Sequence, residues 1–212
     1  MTRKNLPNFI TLARIASAPF VAILLLEPRF ELRLMAFLLF VAAAVSDLWD
    51  GYLARTRDQV TSFGQLFDPI ADKLLLIATL VPLYVIMSRQ MEVAGLPVFG
   101  AIPLWAVLIL LGREILVTVL RMFAARRGRV VAARHLGKRK ALAQNIFIGA
   151  AILWVSFHTP GFGVPDAGAW TAFSEFHGWF TTAFLTAALV LTVVSAVLYL
   201  ATFSRIFAGE YS

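Results

Sequence analysis

Asp47-Leu-Trp-Asp50-Gly51-Tyr-Leu-Ala54-Arg55, followed after eight residues by Gly64 and then by Asp68 and Asp72, places four carboxylates and an arginine in a chain that is 60% hydrophobic. The segments that carry them otherwise read as membrane spans, where an ionisable side chain is costly and marks function by default. If 41–55 and 63–77 are two helices joined by a polar turn at 56–62, Asp50 lies nine residues before Gln59 and Asp68 nine after it, at one depth. Asp47 is one turn further in on the first helix and Asp72 one turn further in on the second, each on its neighbour's face. Four carboxylates are thereby expected to meet between two antiparallel helices, about one or two turns inside the membrane edge. Like charge and low dielectric would protonate them unless cations intervene. Two Mg²⁺ (or Mn²⁺) ions match four carboxylates in formal charge, and paired metals roughly 3.5–4 Å apart recur in displacement at phosphorus.

The residues around the carboxylates are small or basic. Gly51 and Ala54 beside Asp50, and Gly64 near the start of the next helix, would let a flat ligand approach the backbone; the plainer reading is close helix packing. Arg55, at a helix end, can take a phosphate oxygen or act only as an inner-face anchor. The functional readings gain weight because all these positions belong to one spacing.

That spacing, Asp-x2-Asp-Gly-x2-Ala-Arg-x8-Gly-x3-Asp-x3-Asp, resembles the motif of the CDP-alcohol phosphotransferase (CDP-alcohol phosphatidyltransferase) family, and every motif position is matched. The resemblance implies an integral membrane enzyme that moves a phosphatidyl or similar group from a CDP-linked donor to an alcohol and releases CMP. It implies Asp47, Asp50, Asp68 and Asp72 as metal ligands, with Asp72 also the general base. Gly51, Ala54, Arg55 and Gly64 would face the CDP donor, and the enzyme would be a homodimer.

The whole chain agrees with a membrane protein. Its 212 residues contain no cysteine and have a mean hydropathy of +0.81, which describes a single all-α polytopic domain over 1–212 with no disulfide framework. A net charge of +7 in such a chain marks inner loops and anionic headgroups in place of nucleic acid. About six transmembrane helices are expected, at 11–27, 33–55, 63–87, 101–124, 138–157 and 179–205. Before the first, Pro7 and Asn8 can open an interfacial helix, with Leu6, Phe9, Ile10, Leu12 and Ile15 on the lipid and the chain diving at about Ser17. No internal repeat or composition shift marks a second domain.

Lys and Arg crowd the N-terminal segment, 55–57 and 121–140, whereas the opposite connections hold only Arg29, Arg33 and Arg89. Both termini and the aspartate cluster are therefore expected on the cytoplasmic side of a cell (inner) membrane. Residues 159–174 read as an interfacial loop on the far side. His135, His158 and His177 do not suggest a metal site.

A second informative stretch runs from Arg113-Glu114 to Gln144. Arg113 and Glu114 interrupt an apolar run, as a structural salt bridge or as part of a ligand cavity. With Arg121, Lys138 and Lys140, Arg113 is expected to bind an anionic acceptor. Arg113-Glu-Ile115 and Gly137-Lys138-x-Lys140-x3-Gln144 resemble the phosphatidylglycerophosphate synthase branch of the family, as does Pro7-Asn8-x2-Thr11-x2-Arg14. Ala141 departs from that branch, which usually has threonine there, removing one possible hydrogen bond.

The reading that results is phosphatidyl transfer from CDP-diacylglycerol to a small anionic alcohol, glycerol 3-phosphate, by metal-assisted displacement in contact with membrane lipid. A cardiolipin synthase using phosphatidylglycerol is the nearest alternative, and phosphatidylinositol-phosphate or phosphatidylserine synthesis is more distant. A cation transporter is the alternative outside enzymes; clustering of the carboxylates near one face argues against it.

Overall fold

A computed structural model describes the backbone of residues 6–57, 62–127, 135–163 and 167–208, with the side chains therein except at 6–10, 47–57, 62–69, 92–93, 135, 167 and 208. Six long helices and one short turn of helix make up the described chain: α1 (Leu6–Leu26), α2 (Phe30–Arg57), α3 (Ser62–Arg89), α4 (Met91–Ala94), α5 (Leu104–Arg126), α6 (His135–Phe157) and α7 (Ala167–Ala208). No strand occurs among the described residues; one antiparallel bridge, Leu96 to Gly100, closes the turn before α5. The six expected spans all fall on these helices.

The helices are long because their sequences are nearly continuous runs of apolar residues, and in hydrocarbon each backbone N–H and C=O must be satisfied within its own segment. At about 1.5 Å per residue all six match or exceed the roughly 30 Å of a bilayer core. α3, α6 and α7 each contain a stretch apolar enough to cross a membrane by length and composition alone. Large apolar side chains point outward as well as inward, among them Phe20, Ile23, Leu38, Leu108, Val190 and Val197. A water-facing surface would not carry so many, which agrees with a membrane helix bundle.

Packing arranges the six helices as a ring. α1 packs on α2 and α3, α3 on α5, α5 on α7, α7 on α6, and α6 back on α2, while α3 also touches α6 across the middle. The core follows that crossing: Leu76, Leu80 and Leu83 of α3 and Phe147, Ile148 and Ile152 of α6 are buried with Val21 and Leu25 of α1.

Two expectations change. The N-terminal stretch and the first span are one continuous helix, α1, with Pro19 inside it. The expected far-side loop over 159–174 is helical from Ala167, so α7 runs for 42 residues, about 63 Å. Trp170, Phe173 and His177 explain this, since they recur at helical spacing and pack on Phe157. Phe162 and Phe30 complete that aromatic cluster. Trp154 joins the edge of the cluster through His177 and donates its indole N–H to the carbonyl of Ala94 at 2.9 Å.

Candidate active site

At the end of the bundle where α2 meets α3 in sequence and α5 meets α6, the ring encloses a cavity of about 460 Å³ lined by α1, α2, α3, α5 and α6. Each wall is a stripe of one helix. α5 contributes Arg113, Glu114, Val117, Thr118, Arg121 and Met122, and α6 contributes Lys140, Ala141, Gln144, Asn145 and Ile148, the i, i+4 rows that share a helix face. α3 supplies Asp72 and Lys73, and α1 supplies Arg14. Apolar positions of α2 and α3, such as Phe40 and Leu76, close the inner end.

Charge in this wall is organised by two carboxylates. The Asp72 side chain is 55% exposed, whereas Arg14, which donates from Nη1 to its Oδ1 at 2.7 Å, is 2% exposed. Glu114 is shared: Arg113 Nη1 donates to Oε1 at 3.0 Å and Lys140 Nζ donates to the same oxygen. Thr118 donates its hydroxyl to the Glu114 carbonyl at 2.8 Å. Arg121 lies with its guanidinium carbon 5.9 Å from the centre of the Tyr199 ring, so α7 supports the wall from outside. Five basic side chains against two acidic ones give this wall an excess of positive charge, which suits an anion, the more so where water is scarce.

The structure brings Asp72, Arg113, Arg121 and Lys140 together, as expected. Lys138 is the exception. It is exposed and outside the cavity wall, because residues two apart on a helix point about 200° apart and Lys140 holds the inner position. The salt bridge expected as the plain reading of Arg113 and Glu114 is present, with Lys140 added to it. Asp47, Asp50, Gly51, Ala54 and Arg55 lie on the last turns of α2, and Gly64 and Asp68 on the first turns of α3. Their side chains fall outside the described residues, as does that of Asn8.

Asp72 is the motif aspartate whose side chain is described, and its surroundings include a third helix, α1. Among the described residues α2 and α3 scarcely touch, because α1 packs against both. That brings buried Arg14 and Thr11 to this end of the molecule. In the sequence Arg14 is only an inner-side cation and part of a motif. Its signal was the one that singled out Arg113, a charge interrupting an apolar run. Lys73, Thr118 and Asn145 are further wall residues that spacing alone did not select.

The donor set fits a hard divalent cation. All four candidate ligands are carboxylates, the chemistry Mg²⁺ prefers, and Asp72 turns its exposed carboxylate to the cavity. Among the described residues no group of three or more His, Cys, Asp or Glu is assembled for a metal.

Known proteins share this design in sequence. The CDP-alcohol phosphatidyltransferase family profile matches residues 4–194. The chain is 40% identical over 190 residues to a CDP-diacylglycerol--glycerol-3-phosphate 3-phosphatidyltransferase of Bacillus subtilis, covering 82% of this chain and 92% of the relative. It is 38% identical over 150 residues to the protein of that name from Rickettsia typhi, 71% and 77% of the two chains, and 35% identical over 152 residues to the one from Haemophilus influenzae, 71% and 76%. With the motif complete and the matched region spanning nearly all its helices, the chain belongs to the CDP-alcohol phosphatidyltransferase family.

Proposed function

We propose that this protein is a membrane enzyme of phospholipid synthesis that transfers the phosphatidyl group of CDP-diacylglycerol to glycerol 3-phosphate, forming phosphatidylglycerophosphate and CMP. The relatives carry that activity in their names. The observation that carries the reading to this chain is the cationic cavity opening beside Asp72. A neutral alcohol would not require such counter-charge; a phosphorylated one does.

In this reading Arg121 and Lys73, with Arg113 and Lys140 behind them, hold the acceptor phosphate and so aim its hydroxyl. The hydroxyl oxygen attacks the phosphorus that carries diacylglycerol. Its proton passes to Asp72, and the bond from that phosphorus to the CMP oxygen breaks. Arg14 holds the Asp72 carboxylate in place from the buried side. Mg²⁺ held by Asp47, Asp50, Asp68 and Asp72 would supply charge stabilisation on the diphosphate and the leaving CMP. Gly51, Ala54, Arg55 and Gly64 receive the nucleotide end of the donor, whose acyl chains stay in the bilayer. The basic connections support a cytoplasmic orientation of this end of the bundle at the inner membrane, where a soluble acceptor would be found.

The test is CMP release by the purified protein in detergent with CDP-diacylglycerol and Mg²⁺. Glycerol 3-phosphate, phosphatidylglycerol, inositol 1-phosphate and serine are compared as acceptors. Turnover is expected with glycerol 3-phosphate, and EDTA abolishes it until Mg²⁺ is returned. Turnover with another acceptor only would move the assignment within the family.

A further inference from the structure

Along the α6 wall of the cavity, each polar residue can be asked what it is bonded to. Lys140 is engaged with Glu114. Ala141 offers a methyl group. Gln144, one turn further in, is 5% exposed, and its amide oxygen is buried with no hydrogen-bond partner among the described residues. A buried amide group left unsatisfied costs about 1–3 kcal/mol, so a ligand that brings a donor to it recovers that cost. As placed, the amide oxygen needs a donor, and an ionised phosphate has none to give. The polar atoms left on a phosphorylated alcohol are its hydroxyls. A hydroxyl both donates and accepts, and so satisfies the amide in either of its two orientations.

We propose that Gln144 reads the non-reacting hydroxyl of the acceptor. This rests on the acceptor being glycerol 3-phosphate, as argued above. Its terminal hydroxyl gives its proton to Asp72, its phosphate meets the basic side chains, and its central hydroxyl meets the Gln144 amide. Ala141 sharpens the assignment, because with no hydroxyl of its own the α6 wall beside Lys140 leaves Gln144 as the buried neutral group able to recognise an alcohol. Gln144 is then a specificity residue. A site built around a substrate hydroxyl discriminates against the analogue that lacks it, because its own polar group is left unpaired.

The experiment compares glycerol 3-phosphate with 3-hydroxypropyl phosphate, which has the same chain and phosphate but no central hydroxyl. CMP release by the full-length protein is measured for the wild type, Gln144→Leu and Gln144→Met. The wild type is expected to favour glycerol 3-phosphate by about tenfold or more in kcat/KM, and the variants to treat the two acceptors alike within roughly twofold. A merely structural role for Gln144 would lower both activities and leave their ratio intact. A wild-type enzyme indifferent to the central hydroxyl overturns the proposal, and so does a ratio unchanged in either folded variant. Folded variants that lose both acceptors equally overturn it too. Should the wild type release CMP with some other acceptor but not with glycerol 3-phosphate, the functional reading falls and takes this inference with it. Turnover of glycerol 3-phosphate with an unaltered ratio removes the inference alone.

Discussion

Two arginines are buried toward opposite ends of α1, and they are used in contrasting ways. Arg33, at 1% exposure, is surrounded by oxygens that belong to the scaffold. Its Nε donates to the carbonyls of Leu25 and Glu27 at 3.2 and 3.1 Å, and its Nη1 to the Val155 carbonyl and the Thr159 hydroxyl at 2.8 and 3.0 Å. These are the C-terminal ends of α1 and α6, where unpaired carbonyls and the helix dipole favour a cation. The charge ties three helices together, and its four recorded partners are all backbone or neutral oxygens. Arg14 is as deeply buried but pairs with a carboxylate that is itself open to a cavity. The difference shows that burial of a charge does not distinguish structure from function; the exposure and chemistry of its partner do.

The contrast breaks most visibly at Asp72. Asp72→Asn is expected to lower kcat by about 10²–10⁴ while leaving the melting temperature in detergent near that of the wild type. Loss of folding in place of activity would make the Arg14 end a scaffold as well. At the other end, Arg33→Met leaves three buried acceptors and one part-buried acceptor a donor short, and thermal unfolding in detergent should register about 3 kcal/mol of destabilisation. Activity per folded molecule should persist; its disappearance would mean that the two ends are coupled.

Smaller effects sharpen the picture inside the cavity. Arg121→Ala should raise KM for glycerol 3-phosphate by about tenfold or more, with kcat less affected. Lys138→Ala, on the other face of α6, should leave KM within roughly twofold of the wild type, since exposed charges contribute little. Equal effects from the two would restore Lys138 to the site. The smallest effect belongs to His158, whose Nδ1–H donates to the Trp154 carbonyl at 2.8 Å and whose ring packs on Trp154 at a tilt of 34°. Burial pushes its pKa below the usual 6.5. The unfolded chain then takes up a proton before the folded one does, so stability is full above about pH 6.5 and declines as pH falls through it. His158→Phe should flatten that decline in melting curves taken from pH 7.5 to 5.5; an unchanged slope would assign it to other groups.

How far the sequence could be read depended on whether a signal was local. The six long helices followed from apolar runs, although α1 and α7 begin before their expected starts. Trp170, Phe173 and His177 carried a helical period that Gly163, Pro165 and Gly168 obscured, which is why α7 began earlier than composition suggested. Arg33 read as an outer-loop cation because no spacing within α2 announces that the ends of α1 and α6 lie around it. Lys138 and Lys140 looked equivalent as residue types, although helical geometry separates them by more than half a turn.

The sequence by itself determined the membrane bundle, the aspartate motif and, through it, the family, because these depend on residue type and interval along one chain. Tertiary structure decided that α1 lies against both α2 and α3, bringing Arg14 to Asp72. It also joined Lys140 to Glu114 across two helices and left Gln144 in a cavity wall with its amide oxygen unpaired among the described residues. Such pairings depend on which helices become neighbours, and that is settled by packing all six at once. No periodicity within one helix encodes it.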